Sequence, residues 1–337
     1  MMRLIPTAIL FCVLFAGFRV NAHHAGAGLY DRNTVGEIKG DISTIFWRNP
    51  HVRLGIVVSS ESGEAQEWQV EFGSVNTVER LGVSRDKLNV GDQVTISGDL
   101  GRNGRPVMFA DALTLSTGEE LVLQAPSAQR YGLTENALSD ARAVDSELRA
   151  DIFRVWLPGE RPNTGAGTTE YPLTDVGLAA QLQWDAAEDP ALRCIPPGVP
   201  TAMDNPYPIE FIDQGDTIVM RLEEWDGVRT INMNAAGSVE PVQPRMGYST
   251  GRWEGDSLIV NTSNIGWRYV DDLGTPQSED AVIMERFTLS SDGTELDWHA
   301  EIADPVNFTE PVVMTGTWIW IPGHEIKPFN CALPDEG

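Results

Sequence analysis

Three of the five histidines in this 337-residue chain, His23, His24 and His51, stand within its first 51 positions. Imidazole is the commonest protein ligand for transition metals and the side chain that titrates nearest neutral pH. The opening of the chain sharpens the grouping. One early charge, Arg3, precedes an apolar run over 4–18 and then Val20-Asn21-Ala22, the pattern of a secretory leader cut after Ala22. Such a cut leaves His23 with a free amine beside its imidazole and His24 next to it. His51 then joins them from the folded scaffold. An all-nitrogen set of this kind suits Cu(II) best and Zn(II) next, by the Irving–Williams order. The competing reading is a frayed, solvated His-His end and a His51 that only satisfies a nearby backbone group.

Carboxylates give a second chemistry. In the stretch 281–289, Glu285 shares its strand face with Ile283, Phe287 and Leu289. In 217–226, Glu224 continues the face of Ile218, Met220 and Leu222. A carboxylate on a core-facing row is costly unless paired or hydrogen-bonded. Arg252, Arg286 and Arg221 are the partners considered, so Glu285, Glu224 and Arg252 form the candidate catalytic set. The structural reading is a buried ion pair. The functional one is an acid or base of raised pKa lining a ligand pocket.

These groups need scaffolds, and the apolar pattern supplies them. From 35 to 123 the aliphatics recur with period two, broken by Asn49-Pro50, by a short helical stretch over 75–81 and by a Gly101–Gly104 turn. Three strands, a helix and two strands is the order of an OB-type Greek-key barrel, so 23–123 is read as an OB-like domain, with an incomplete sandwich as the rival. Residues 124–192 change character. Helical spacing over 134–150 and 173–184 flanks a Pro/Gly/Thr-rich loop over 158–172, which gives a helical, irregular connector. Alternation returns over 193–337. Eight strands are predicted at 209–214, 217–225, 229–233, 247–253, 257–264, 281–289, 295–302 and 312–321, with turns such as Asp226-Gly227 and Asp292-Gly293 between them. The expected fold is therefore mainly all-β: an OB-like barrel, the connector, and a larger antiparallel, lipocalin-like barrel or curved sheet.

With Cys12 lost in the leader, Cys194 and Cys331 are an even pair in an oxidising compartment, 137 positions apart and without zinc-knuckle spacing. They are expected to form one disulfide that closes the second barrel; two free thiols are the alternative. Trp225, Trp253, Trp267, Trp298, Trp318 and Trp320 then serve either as core or as the aromatic walls of an apolar cavity. Trp267-Arg268-Tyr269, followed by Asp271-Asp272, reads as a lid or a solvated loop. His299, between Asp297 and Glu301 on one strand face, is expected at the surface.

Charge removes some functions. The chain carries 24 Lys+Arg against 49 Asp+Glu, a net of −25, and only Lys39, Lys87 and Lys327 are lysines. A nucleic-acid partner needs a basic stripe, and an anionic membrane surface needs basic clusters. Neither is expected, and no stretch after the leader is long and apolar enough to span a bilayer. Phosphate loops, nucleophile elbows and zinc-protease helices are also absent from the sequence.

Several motifs carry a resemblance. His23-His24-Ala25, Asn49-Pro50-His51 and Gly91-Asp92 resemble an uncharacterised secreted bacterial domain family. Cys194-Ile195-Pro196-Pro197-Gly198, Gly251-Arg252-Trp253-Glu254-Gly255-Asp256, Glu285-Arg286-Phe287, Asp304-Pro305 and Thr309-Glu310-Pro311 resemble its equally uncharacterised partner region. Many proteins of that type carry an Asp-Gly-Arg-x-His-Pro turn after the third barrel strand. Here the stretch reads Asn234-Ala235-Ala236-Gly237-Ser238-Val239-Glu240-Pro241, without the histidine. The resemblance implies export and architecture and no established activity. Three functions remain open: a periplasmic or secreted binding protein holding copper or zinc, with an apolar small ligand in the second barrel; a periplasmic enzyme using barrel carboxylates for proton transfer on an apolar substrate; or an envelope interaction module without small-molecule chemistry.

Overall fold

In the computed structural model the described residues are 29–59, 63–145, 151–159, 171–185, 188–234 and 244–333. The segment read as a leader, His23 and His24 lie outside them, as does most of the 234–241 stretch.

The first unit contains β1 (Tyr30–Phe46), β2 (Val52–Ser59), β3 (Ala65–Phe72), α1 (Val75–Arg80), β4 (Gln93–Gly101), β5 (Val107–Leu115) and β6 (Glu120–Val122). Its sheet order is β3-β2-β1-β4-β5-β6, and β3 also pairs in parallel with β5 over Gln69–Glu71. That last pairing closes the ring β1-β2-β3-β5-β4, with α1 between β3 and β4, as the OB-type order requires. Closure depends on a long first strand. β1 pairs with β4 through Ile38↔Ile96 and with β2 through Ile42↔Ile56, and a register shift between Ile42 and Thr44 lets it serve both. Gly40 sits at this crossing, where a Cβ would come within 2.4 Å of the Val57 carbonyl oxygen. Ile38, Ile42, Leu54, Ile56, Val70, Phe72, Val94, Ile96, Met108 and Leu113 fill the interior. The side chain of Ser74 accepts from the Thr77 N–H at the head of α1, and buried Val78 then plugs the barrel end.

The connector holds three short helices, α2 (Ser127–Tyr131), α3 (Glu135–Asp145) and α4 (Asp175–Gln181); the last two fall in the stretches of helical spacing, and α2 lies ahead of them. It also holds an element that the periodicity misses: β7 (Val155–Pro158). The eight later strands are β8 (Ile209–Asp213), β9 (Thr217–Leu222), β10 (Gly227–Asn232), β11 (Tyr248–Glu254), β12 (Ser257–Ser263), β13 (Val282–Leu289), β14 (Glu295–Ala303) and β15 (Val312–Ile319). All eight were expected, but they do not close by themselves. β7 fits between β15 and β8 and completes a nine-strand barrel, so the barrel draws one strand from the stretch read as connector. Four residues are too few to show alternation, and β7 makes only two register pairs with each neighbour. Trp156 and Leu157 are nevertheless fully buried. A second departure is β10–β11, which pair in parallel through Ile231↔Ser249 and Asn232↔Thr250, whereas the other neighbours in the ring are antiparallel.

Cys194 and Cys331 are bonded, with Cα atoms 5.8 Å apart. Denatured, unreduced protein is expected to show no titratable thiol from this pair; two thiols per chain in a thiol titration would contradict the bond. The bridge brings the C-terminal tail back between the two barrels. There Asn49 and Cys331 form a parallel bridge, the Ala332 N–H donates to the Asn49 carbonyl at 3.2 Å, and Arg48 Nη1 donates to the Leu333 carbonyl at 2.8 Å. The side chain of Asn49 completes the clasp. Its Nδ2 donates to Asn76 Oδ1 at 2.9 Å and to the Phe329 carbonyl, and its Oδ1 accepts from the Val75 N–H at 2.8 Å.

Candidate functional site

His51 sits just before β2, on the turn whose Asn49 holds the tail. Three strand ends converge there. Glu71 lies near the end of β3, Tyr30 starts β1, and Phe109 of β5 stands opposite Glu71 in the parallel β3–β5 pairing. The His51 Nδ1–H donates to Glu71 Oε1, and the Tyr30 hydroxyl donates to Glu71 Oε2 at 3.2 Å. The Phe109 ring lies 6.1 Å from the His51 ring, edge to face, and 5.6 Å from that of Tyr30. His51 is about half exposed, and it lines a cavity of about 370 Å³ together with Thr44, Phe46, Arg53, Glu67 and Ala332.

The electrostatics follow from this contact. Desolvation of the half of the His51 ring that faces the protein disfavours its charged form, but the hydrogen bond and charge of Glu71 outweigh it and hold the pKa above the usual histidine value. Burial likewise opposes ionisation of Glu71, yet His51 and Arg53 hold its carboxyl below the usual range. Burial, reinforced by Glu71, pushes the Tyr30 hydroxyl well up, so it remains a donor. With Nδ1 engaged, Nε2 is the ring nitrogen left to take a proton or a ligand.

The candidate catalytic carboxylates are arranged otherwise. Glu285 and Arg229 are each 1% exposed and form a bidentate pair. The Trp298 indole also donates to Glu285 Oε1, at 3.1 Å. The partner is thus Arg229, not Arg252, Arg286 or Arg221. Arg221 pairs with Glu210, while Arg252 and Arg286 share Glu254 on the surface. Arg252 is 54% exposed and belongs to the Gly251–Asp256 hairpin. The apolar cavity expected in the second barrel is occupied by packed side chains: Trp156, Phe211, Phe287, Trp298 and Trp318 form one buried cluster there. Glu285 therefore lacks the open space that acid–base work on a substrate needs.

Glu224 does not join it. β9 ends at Leu222, and the chain enters a turn where Trp225 and Asp226 have φ of 59° and 52°, so the inward parity stops before Glu224. Asn205 Nδ2 donates to Glu224 instead. The wholly buried carboxylate is its neighbour Glu223, held by Arg80 Nη1 at 2.6 Å, Asn76 Nδ2 at 3.1 Å and the Lys327 N–H at 3.0 Å. Arg80 and Asn76 belong to α1, so this pair joins the two barrels. Of the remaining expectations, His299 is 45% exposed beside Glu301, and Trp253 is 45% exposed, whereas Trp298 and Trp318 are core.

Sequence reasoning missed Glu71, Tyr30, Arg80, Glu223 and Arg229. Glu71 carried one readable signal: it alternates with inward Val70 and Phe72 on the strand that follows β2. The others depend on register and on contacts between the barrels, which spacing does not reveal.

Two joined β-barrels, clasped by a disulfide-anchored tail with a carboxylate-held imidazole at the clasp, define the class. Residues 12–108 match DUF6152, a family of unknown function, and that span includes Tyr30, His51 and Glu71. No curated protein matches the chain. Among the described residues, no helix is long and apolar enough to cross a membrane.

Proposed function

We propose that this is an exported metal-binding protein whose copper or zinc site combines the amine and imidazole of His23, the imidazole of His24 and Nε2 of His51. The observation that carries the reading is the His51–Glu71 contact. Ligating histidines almost always donate their other ring N–H to a carboxylate or carbonyl, which fixes tautomer and orientation and raises basicity. Geometry supports the grouping as well. Tyr30 touches Glu71, so the chain preceding it departs from beside His51. An extended chain spans at most about 3.3–3.6 Å per residue, so a segment of the length of 23–29 is long enough to carry an amino terminus to that ring. The set holds nitrogen donors only, which favours Cu(II) and then Zn(II).

Copper titration of protein beginning at His23 tests the reading. Tight binding is expected, weaker in His51→Ala and in a version with one added leading residue. Glu71→Gln should cost about 10–100-fold in affinity, because it removes the group that orients the ring. Affinity should also fall with acid, since amine and imidazole bind only when deprotonated. Absence of binding in the authentic form, or tight binding indifferent to both alterations, would sink the proposal.

A further inference from the structure

The cavity of about 370 Å³ beside His51 is built on the outer face of β1, β2 and β3. Register fixes which side chains meet there. Thr44, Gly55 and Gln69 form one row across the three strands, and Phe46, Arg53 and Glu71 form the next. Val52, Leu54 and Ile56, the alternate residues of β2, fill the barrel interior, so both rows point outward. Gly55 makes the hollow. Its N–H donates to Thr44 Oγ1 at 3.1 Å, and a Cβ there would come within 2.4 Å of that hydroxyl and 2.5 Å of Ser43 Oγ. The tail closes one side. Ala332 lines the cavity, and Arg48 Nη1 reaches the carbonyl of the adjoining Leu333, which brings its guanidinium to that rim.

The charge of this lining runs against that of the chain. Acidic residues outnumber basic ones by 49 to 24 overall, yet Arg48, Arg53 and His51 face only Glu67 around the cavity. The carboxylates nearby are engaged. Ser43 Oγ donates to Glu67 Oε1 at 3.0 Å, and Glu71 accepts from His51 and Tyr30. The two guanidiniums are not. Arg80, Arg142, Arg221 and Arg229 each hold a carboxylate, whereas Arg48 holds one backbone carbonyl. Arg53 is half-buried and donates to no group among the described residues, although it carries five N–H donors.

Two guanidiniums at one cavity call for an anion, and the planar fork of arginine matches a carboxylate in bidentate fashion. Phe46, 40% exposed, and Ala332 add apolar surface that a hydrated inorganic ion would leave unused. A hollow of this volume has room for a small organic molecule. We propose that the cavity binds a small organic carboxylate, with its charged group on Arg53 and Arg48 and its hydrocarbon part against Phe46 and Ala332. Binding of this kind needs no metal at His51.

Benzoate and hexanoate are the probes, titrated into metal-free protein while its backbone amide resonances are followed by NMR. At least one is expected to bind at millimolar concentration or below and to move the amides of Gly55 and Gln69. Benzamide, the uncharged isostere, and inorganic phosphate, an anion without a hydrocarbon part, should each bind at least about tenfold more weakly. Arg53→Gln should weaken carboxylate binding by a similar factor, because it removes both the charge and the fork. Should that variant not fold, the comparison with benzamide and phosphate decides the matter on the unaltered protein. A version with one residue added before His23, which abolishes the proposed metal site, should bind the carboxylate unchanged, so the two readings fail separately. Failure of both carboxylates to bind folded protein at millimolar concentration would overturn the proposal. So would equal binding of benzamide or phosphate, or a folded Arg53→Gln protein that binds as the unaltered one does.

Discussion

Arg229→Met is expected to lower the unfolding free energy by about 3–5 kcal/mol, the cost of leaving a buried partner charge uncompensated. Arg229 of β10 donates through Nε to Ser249 Oγ of β11 at 3.0 Å, through Nη2 to Thr262 Oγ1 of β12 at 2.7 Å, and through both Nη groups to Glu285 of β13. Glu285 in turn accepts from Trp298 of β14. Five consecutive strands of the ring are thus tied through one guanidinium. The network spans the parallel β10–β11 junction, where only two residue pairs are in register and backbone hydrogen bonding alone is sparse.

Glu285→Gln discriminates between the two roles for this carboxylate. A working acid or base would lose turnover with little change in melting temperature. A structural partner of Arg229 should destabilise the protein by an amount close to that of Arg229→Met. The double variant Arg229→Met/Glu285→Gln keeps an acceptor for the Trp298 indole and leaves no charge unpaired. It should therefore be markedly more stable than the sum of the single losses implies, because replacing a whole buried pair is often near neutral. Chemical denaturation of the four proteins measures this. Additive losses would show that the pair is not coupled, and a Glu285→Gln protein with wild-type stability would remove the structural assignment.

What the sequence made legible is what two-residue periodicity can encode. The eight strands after Cys194 were readable because most bury alternate residues, unlike β12, where Ser257 to Val260 are buried in succession, and turns such as Asp226-Gly227, Gly255-Asp256 and Asp292-Gly293 separate several of them. The OB-type order was readable because Asn49-Pro50, the 75–81 helix and the Gly101–Gly104 turn divide its strands. β7 was not, because a four-residue strand with Trp156 and Leu157 both buried shows no alternation. Periodicity rightly placed Glu285 in the core but could not name Arg229, which lies 56 positions away and meets it across two intervening strands. His51 was legible as a residue type. Its contact with Glu71, from which its chemistry follows, required the β2–β3 register.

The neighbouring carboxylates Glu223 and Glu224 give the sharpest test of where parity fails. If the inward row of β9 ran on past Leu222, Glu224 would be the buried residue and its loss the costly one. The turn at Trp225 and Asp226 instead leaves Glu223 at 0% exposure, facing Arg80 of the first barrel, which is itself 9% exposed. Glu223→Ala should therefore cost about 3–5 kcal/mol, since it leaves Arg80 buried and unpaired. Glu224→Ala should cost less, within about 1.5–3 kcal/mol for a hydrogen bond to a charged group. The larger loss carries a structural signature. Glu223 Oε2 accepts from the Lys327 N–H, so removing it frees the tail segment that the clasp holds between the barrels. Amide exchange at Lys327 should accelerate in Glu223→Ala, while at Phe329, whose N–H donates to Asp226 at 2.9 Å, it should change less. Equal destabilisation by the two substitutions, or unchanged exchange at Lys327 in a destabilised Glu223→Ala protein, would mean that the joint between the barrels does not rest on this carboxylate.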